Sequence, residues 1–123
     1  MLGLVVTTER TMYRQEFGKP LYKSVEPVLD GFLEIVRPAF LPEPFRILVN
    51  EEGRLKQLPL NDVGSAWYGG IIVGNLIVMK QEFTEDGPDI VGLTEAECLK
   101  AIGLVSFMTK GAVRLVEKKG ATE

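Results

Sequence analysis

Thr94-Glu95-Ala96-Glu97-Cys98-Leu99 opens the segment whose local chemistry declares its secondary structure most plainly. A threonine three residues before a glutamate makes a capping box: the hydroxyl accepts the amide hydrogen of the third helical residue, and the glutamate reaches back to the cap amide. Glu95 and Glu97 also suit the positive end of a helix. Cys98, Leu99, Ile102, Val105 and Met108 follow at helical spacing, which predicts a C-terminal helix covering a sheet. Gly111 stops it, and Val113, Leu115 and Val116 give Ala112 to Lys118 an apolar surface for a second short helix.

Working outward, the sheet under that helix has several candidate strands. Leu2 to Thr8 is apolar and β-branched, and Met12 to Phe17 alternates with a period of two, so the two read as a hairpin turning at Glu9-Arg10. Pro20 begins a short helix with Leu21, Val25, Val28 and Leu29 on one stripe, and Pro27 predicts a kink or two separate helical turns. Asp30-Gly31 returns the chain as strand Phe32 to Val36. Pro38, Pro42 and Pro44 make Arg37 to Pro44 a constrained connector and not a central strand. Phe45 to Val49 resumes the β pattern, Asn50 to Gly53 is a turn, and Arg54 to Leu58 runs back with Leu55 and Leu58 imperfectly placed. An irregular stretch from Pro59 ends at Gly69-Gly70, ahead of the clearest core strand, Ile71 to Val78, where Gly74 marks a bulge or a close backbone approach. Glu85 to Pro88 is a turn, and Ile90-Val91 pairs briefly at an edge. The expected class is therefore α+β: a mixed or antiparallel β-sheet core of about five to six strands, one short proline-interrupted helix, and a C-terminal helix packed on the sheet. One domain is expected over 1–119, with 120–123 as a frayed tail.

Composition narrows the function classes. The chain has 123 residues, 46% hydrophobic and 25% charged, as an ordinary globular domain has. It has no histidine, which removes His-containing triads, imidazole bases and His-ligated zinc sites. Cys98 is the single cysteine, so no intramolecular disulfide can form. A net charge of −3 without a basic cluster argues against direct nucleic-acid binding. Ile71 to Met79 is far short of the roughly 20 apolar residues that span a bilayer, and Leu2 to Val6 lacks the flanks of a signal peptide. A cytoplasmic, non-membrane protein is the expectation.

Gly31-Phe32-Leu33-Glu34-Ile35-Val36, Val49-Asn50-Glu51-Glu52-Gly53, Leu58-Pro59-Leu60-Asn61, Ile72-Val73-Gly74 and Leu93-Thr94 can then be taken together. In that order they resemble the family called domain of unknown function 3846, met in phages and mobile elements of Gram-positive bacteria. The resemblance runs from Leu2 to Leu99. The proline-rich Arg37 to Pro44 segment, the connection holding Trp67 and Tyr68, and the C-terminal part depart from it. It implies a phage or mobile-element setting in the cytoplasm of a bacterial host without supplying an activity. Small accessory proteins of that setting resemble inhibitors of host defence, of anti-CRISPR type among others. The partner implied is a host defence protein; the alternative is a nucleotide or small ligand that is sequestered as a defence signal.

Six residues are candidates for partner or ligand contact. Asn50, Glu51, Glu52 and Asn61 recur in the resemblance; two acids beside a turn can bind a cation or an arginine, or the segment is simply a turn with Asn50 capping its own backbone and Gly53 at positive φ. Trp67 and Tyr68, within Ser65 to Gly70, can anchor an interface or stack on a base, or can cover a sheet edge. No glycine cluster forms a phosphate loop. Cys98 reads as a buried structural thiol, and Lys110, Arg114, Lys118 and Lys119 as a solubilising tail. A magnesium-dependent hydrolase on Glu51, Glu52, Asp62 or Asp86 lacks the signals of a pocket and a substrate clamp. A non-enzymatic protein without cofactor or metal is expected. Apolar strands at the N-terminus or over Ile71 to Met79 would be the edges through which a homo-oligomer pairs.

Overall fold

The computed structural model describes residues 1–118. The expected fraying of the last residues lies outside the described range. Ten elements follow one another: β1 (Leu2–Val6), β2 (Thr11–Glu16), α1 (Leu21–Leu29), β3 (Leu33–Val36), β4 (Phe45–Asn50), α2 (Asp62–Tyr68), β5 (Leu76–Thr84), β6 (Gly87–Val91), α3 (Glu95–Thr109) and β7 (Arg114–Leu115). The fold is α+β.

The strands form one mixed sheet in the order β3-β4-β5-β1-β2-β7, and the far half of β5 makes a hairpin with β6. β1 lies at the centre, with Leu4 opposite both Arg14 of β2 and Val78 of β5. Only β7 runs parallel to its neighbour, β2. Alternation sorts the strand side chains onto two faces. Leu4, Val6, Ile47, Val49, Leu76 and Val78 lie on one, under α2 and α3, which contribute Val63, Trp67, Cys98, Ala101 and Val105. Val5, Leu48, Ile77 and Met79 lie on the other, beneath Val25 and Leu29 of α1. The sheet is thus buried on both faces, which is why Ile47 to Val49 of β4 and Leu76 to Met79 of β5 are continuous apolar runs.

Local signals held where they were self-contained. The capping box forms, with Glu97 N donating to Thr94 Oγ1 at 3.1 Å and Thr94 N to Glu97 Oε1 at 2.7 Å. The N-terminal hairpin turns through Arg10 at φ 60°.

Other expectations are corrected. The described residues form seven strands and a third helix: those read as irregular before Gly69-Gly70 form α2, capped by Asn61 and closed by Gly69 at φ 82°. Pro27 lies inside a single nine-residue α1, exposed on the side away from the sheet, so it does not divide the helix in two. The core strand starts at Leu76, because Ile71 to Asn75 is held by α2 and a bridge between Leu60 and Val73. Arg54 to Leu58 is a succession of turns that does not pair with β4; α2 intervenes before β5 takes that place. Ala112 to Lys118 contains β7, not a helix, since Arg114 N and Val116 N bond the carbonyls of Arg10 and Met12. β1 and the first half of β5 are interior; of the N-terminal hairpin, β2 is covered by β7 only at Thr11 and Met12, so its later residues lie at an edge, as do β3 and β6. No helix among the described residues is long and apolar enough to cross a membrane.

Candidate functional site

Two buried asparagines build the surface between β4 and β5. Asn50 ends β4, and its Nδ2 donates to the carbonyls of Leu29 and Asp30, both at 2.9 Å, while Oδ1 accepts from Glu52 N at 2.7 Å. Lys56 Nζ adds a bond to Asp30 O, and Glu51 N one to Phe32 O. The loop after β4 is therefore fastened to the end of α1 and the start of β3. Gly53 is not at positive φ; that conformation falls at Gln57, φ 56°. Gly53 is instead tightly packed, since a Cβ there would meet Val73 Cγ2 at 2.8 Å.

Asn61 does the same for the opposite wall. Only 1% exposed, it donates from Nδ2 to Val6 O at 3.1 Å and Gly74 O at 2.9 Å, and accepts from Gly64 N at 3.0 Å as the cap of α2. Gly74 takes φ 80° close to Leu58, a conformation and an approach that suit glycine. Ser65 Oγ accepts from Ile72 N at 2.9 Å and donates to Ile72 O at 3.2 Å, holding α2 against the strand that follows.

Between these walls is a cleft of about 150 Å³, lined among others by Glu34, Glu51, Glu52, Arg54, Leu55 and Ile71. Beside Ile71 the chain presents Tyr68, 44% exposed with its ring against Gly70, and then Phe40, whose ring abuts Gly69 and whose amide donates to Trp67 O at 2.8 Å. Leu55 and Ile71 are exposed apolar side chains that line the cleft beside three carboxylates, and Tyr68 and Phe40 are exposed at the Gly69-Gly70 turn that precedes Ile71.

The six candidates separate into two groups. Asn50, Asn61 and Trp67 are buried; Trp67 is 2% exposed within the core under α2. Glu51, Glu52 and Tyr68 reach solvent, and the two acids share the cleft that Ile71 borders. Phe40, Leu55, Ile71 and Glu34 were not singled out from sequence. Leu55 carried a signal, as an apolar residue out of phase in a charged turn. Phe40 carried one as an aromatic in a proline-rich connector that offers it no strand face.

Electrostatically, a cleft with three carboxylates and one guanidinium can accept arginine or lysine side chains and backbone amides through charge-assisted hydrogen bonds. Cys98 lies away from it in the core, where burial pushes its thiol up from the ordinary range. Among the described residues, no group of three or more His, Cys, Asp or Glu side chains is placed to hold a metal ion.

No curated protein and no solved structure matches the chain. The profile of the family described as "Domain of unknown function (DUF3846)" matches residues 1–104, from β1 into α3 and across every wall of the cleft, and the chain belongs to that family.

Proposed function

We propose that this chain is a non-catalytic accessory protein of a phage or mobile element that acts in the bacterial cytoplasm by binding and inhibiting a host defence protein. One observation carries the binding reading: the exposed apolar side chains of Leu55 and Ile71 line a cleft bearing Glu34, Glu51 and Glu52, and the exposed Tyr68 and Phe40 stand at the Gly69-Gly70 turn that leads into Ile71. Aromatic anchors beside charged groups are the composition of protein-binding hot spots, and exposed apolar patches rimmed by polar residues mark such surfaces. The charge sets the partner's complement, a basic, arginine- or lysine-bearing surface. The defence setting rests on the family resemblance and not on the geometry.

Sequestration of a nucleotide is the weaker reading. Trp67 is buried and cannot stack on a base, the carboxylates repel phosphates, and about 150 Å³ is small beside the roughly 300–1,000 Å³ of typical ligand sites.

The test is phage challenge of bacterial hosts carrying individual defence systems, with the chain or its Phe40→Ala, Tyr68→Ala double variant expressed. The wild type is expected to restore phage plating against a defence system, to co-purify with its protein component, and to lose both effects in the double variant. Equal behaviour of the two chains rejects the surface; failure to weaken any system rejects the inhibitor reading.

A further inference from the structure

Helix α3 is apolar on nearly every side, although only one side meets the sheet. Cys98, Ala101 and Val105 face the core, yet Leu99 is 59% exposed and Phe107 is 87% exposed on the opposite face. A helix that is apolar all round normally has partners all round.

Gly103 lies midway between those two residues, four positions from each, so Leu99, Gly103 and Phe107 share one outward stripe. Glycine is a poor residue for a helix interior. Nothing within the chain asks for it, because a Cβ at this position would meet no atom within 4 Å. A glycine that is costly to its own helix and unexplained by its own fold permits close approach from outside.

We infer that α3 is a homodimer surface, on which a second copy of this chain packs its own α3 antiparallel across a two-fold axis at Gly103. The stripe is self-complementary about that point: Leu99 of each copy meets Phe107 of the other, and the two Gly103 positions make the close crossing. Charge agrees with the antiparallel direction. Glu97 of the first turn is taken up by Lys80 and the Thr94 amide, whereas Glu95 is exposed on the outward stripe and Lys110 stands at the C-terminal cap, so each Lys110 is brought to Glu95 of the other copy. Glu95 holds Arg14 and keeps most of its side chain exposed. A parallel pairing would instead place acid on acid. This face is separate from the acidic cleft, so the dimer and the proposed partner surface stand or fall independently.

Sedimentation equilibrium on the full chain tests this, with Phe107→Glu and Gly103→Ala alongside the wild type, and circular dichroism and Trp67 fluorescence reporting the fold. The wild type is expected to be dimeric. Phe107→Glu is expected to weaken association by about a hundredfold or more, because it buries a charge opposite Leu99. Gly103→Ala is expected to weaken it by about tenfold through lost close approach, while leaving the monomer fold intact. A monomeric wild type overturns the inference, as does a dimer that survives both substitutions. Should Phe107→Glu fail to fold, Gly103→Ala decides alone.

Discussion

Lys80 Nζ and Glu97 Oε1 meet at 2.8 Å, and the same carboxylate oxygen accepts the Thr94 amide at 2.7 Å. The glutamate that closes the capping box of α3 is therefore also the point where α3 is tied to β5. The Lys80 ammonium beside it, followed by the Thr94 backbone bond, holds the Glu97 carboxyl below its ordinary range, while Glu97 raises Lys80. Because the folded-state value of Glu97 is depressed, its contribution is present above the unfolded carboxylate range and is lost as pH falls through the folded value. Urea titrations of the wild type and Glu97→Gln are expected to differ at neutral pH and to converge as pH drops below the carboxyl reference value of 4.5. A gap that persists in acid would show that the carboxylate charge is not what stabilises the junction.

Asn61 joins α2, β1 and the Gly74 turn with three hydrogen bonds from a buried amide. Asn61→Ala leaves the carbonyls of Val6 and Gly74 and the Gly64 amide without this partner, at an expected cost of about 2–4 kcal/mol in chemical denaturation. Asn61→Asp keeps the cap acceptor but removes the donor, and is expected to destabilise as well. Equal stability of the aspartate variant would mean that the cap alone matters.

Gly64 is the steric counterpart of Gly103. A Cβ at Gly64 would meet Leu76 Cδ2 at 2.7 Å and Ile72 Cγ2 at 2.8 Å, so Gly64→Ala is expected to destabilise by about 1–3 kcal/mol through overpacking. A neutral result, read from the denaturation midpoint, would show that α2 shifts freely over the sheet.

Adjacent aromatics are expected to behave oppositely. Trp67→Ala removes a core side chain and should cost about 3–5 kcal/mol. Tyr68→Ala, at a largely open position, should stay within about 0.5 kcal/mol of the wild type in stability. As Trp67 is the only tryptophan, its emission should be blue-shifted in the folded chain and move to longer wavelength on unfolding, giving a direct reading of the first variant's reference state.

Cys98 is expected to resist an aromatic disulfide reagent at neutral pH and to react fully in denaturant, since its thiol is buried and shifted upward by that burial. Rapid labelling of the folded chain would show that α3 lifts from the sheet.

Features that depend on near neighbours were readable from the residues alone. Thr94 and Glu97 lie three residues apart, so their reciprocal bonds need no other part of the fold. Met12 to Phe17 alternates because a half-buried strand has a period of two, and the prolines around Phe40 removed donors wherever they fell. The tertiary structure decided what depends on distant partners. α2 has only seven residues, two of them Gly64 and Ser65, and it stands because Asn61 reaches Val6 across 55 positions and Trp67 finds the core. β7 is two residues long and takes its direction from Arg10 and Met12. The cleft followed the same rule: Tyr68 was legible as an unusual aromatic, but Glu34, Leu55 and Ile71 are scattered along the chain and line one cleft only after folding, as Phe40 reaches Gly69 only then. Hydrogen bonds within one helical turn cost little chain entropy to close, whereas burial and long-range pairing order whole segments at once. A local pattern can therefore foretell the first, and only the assembled sheet selects the second.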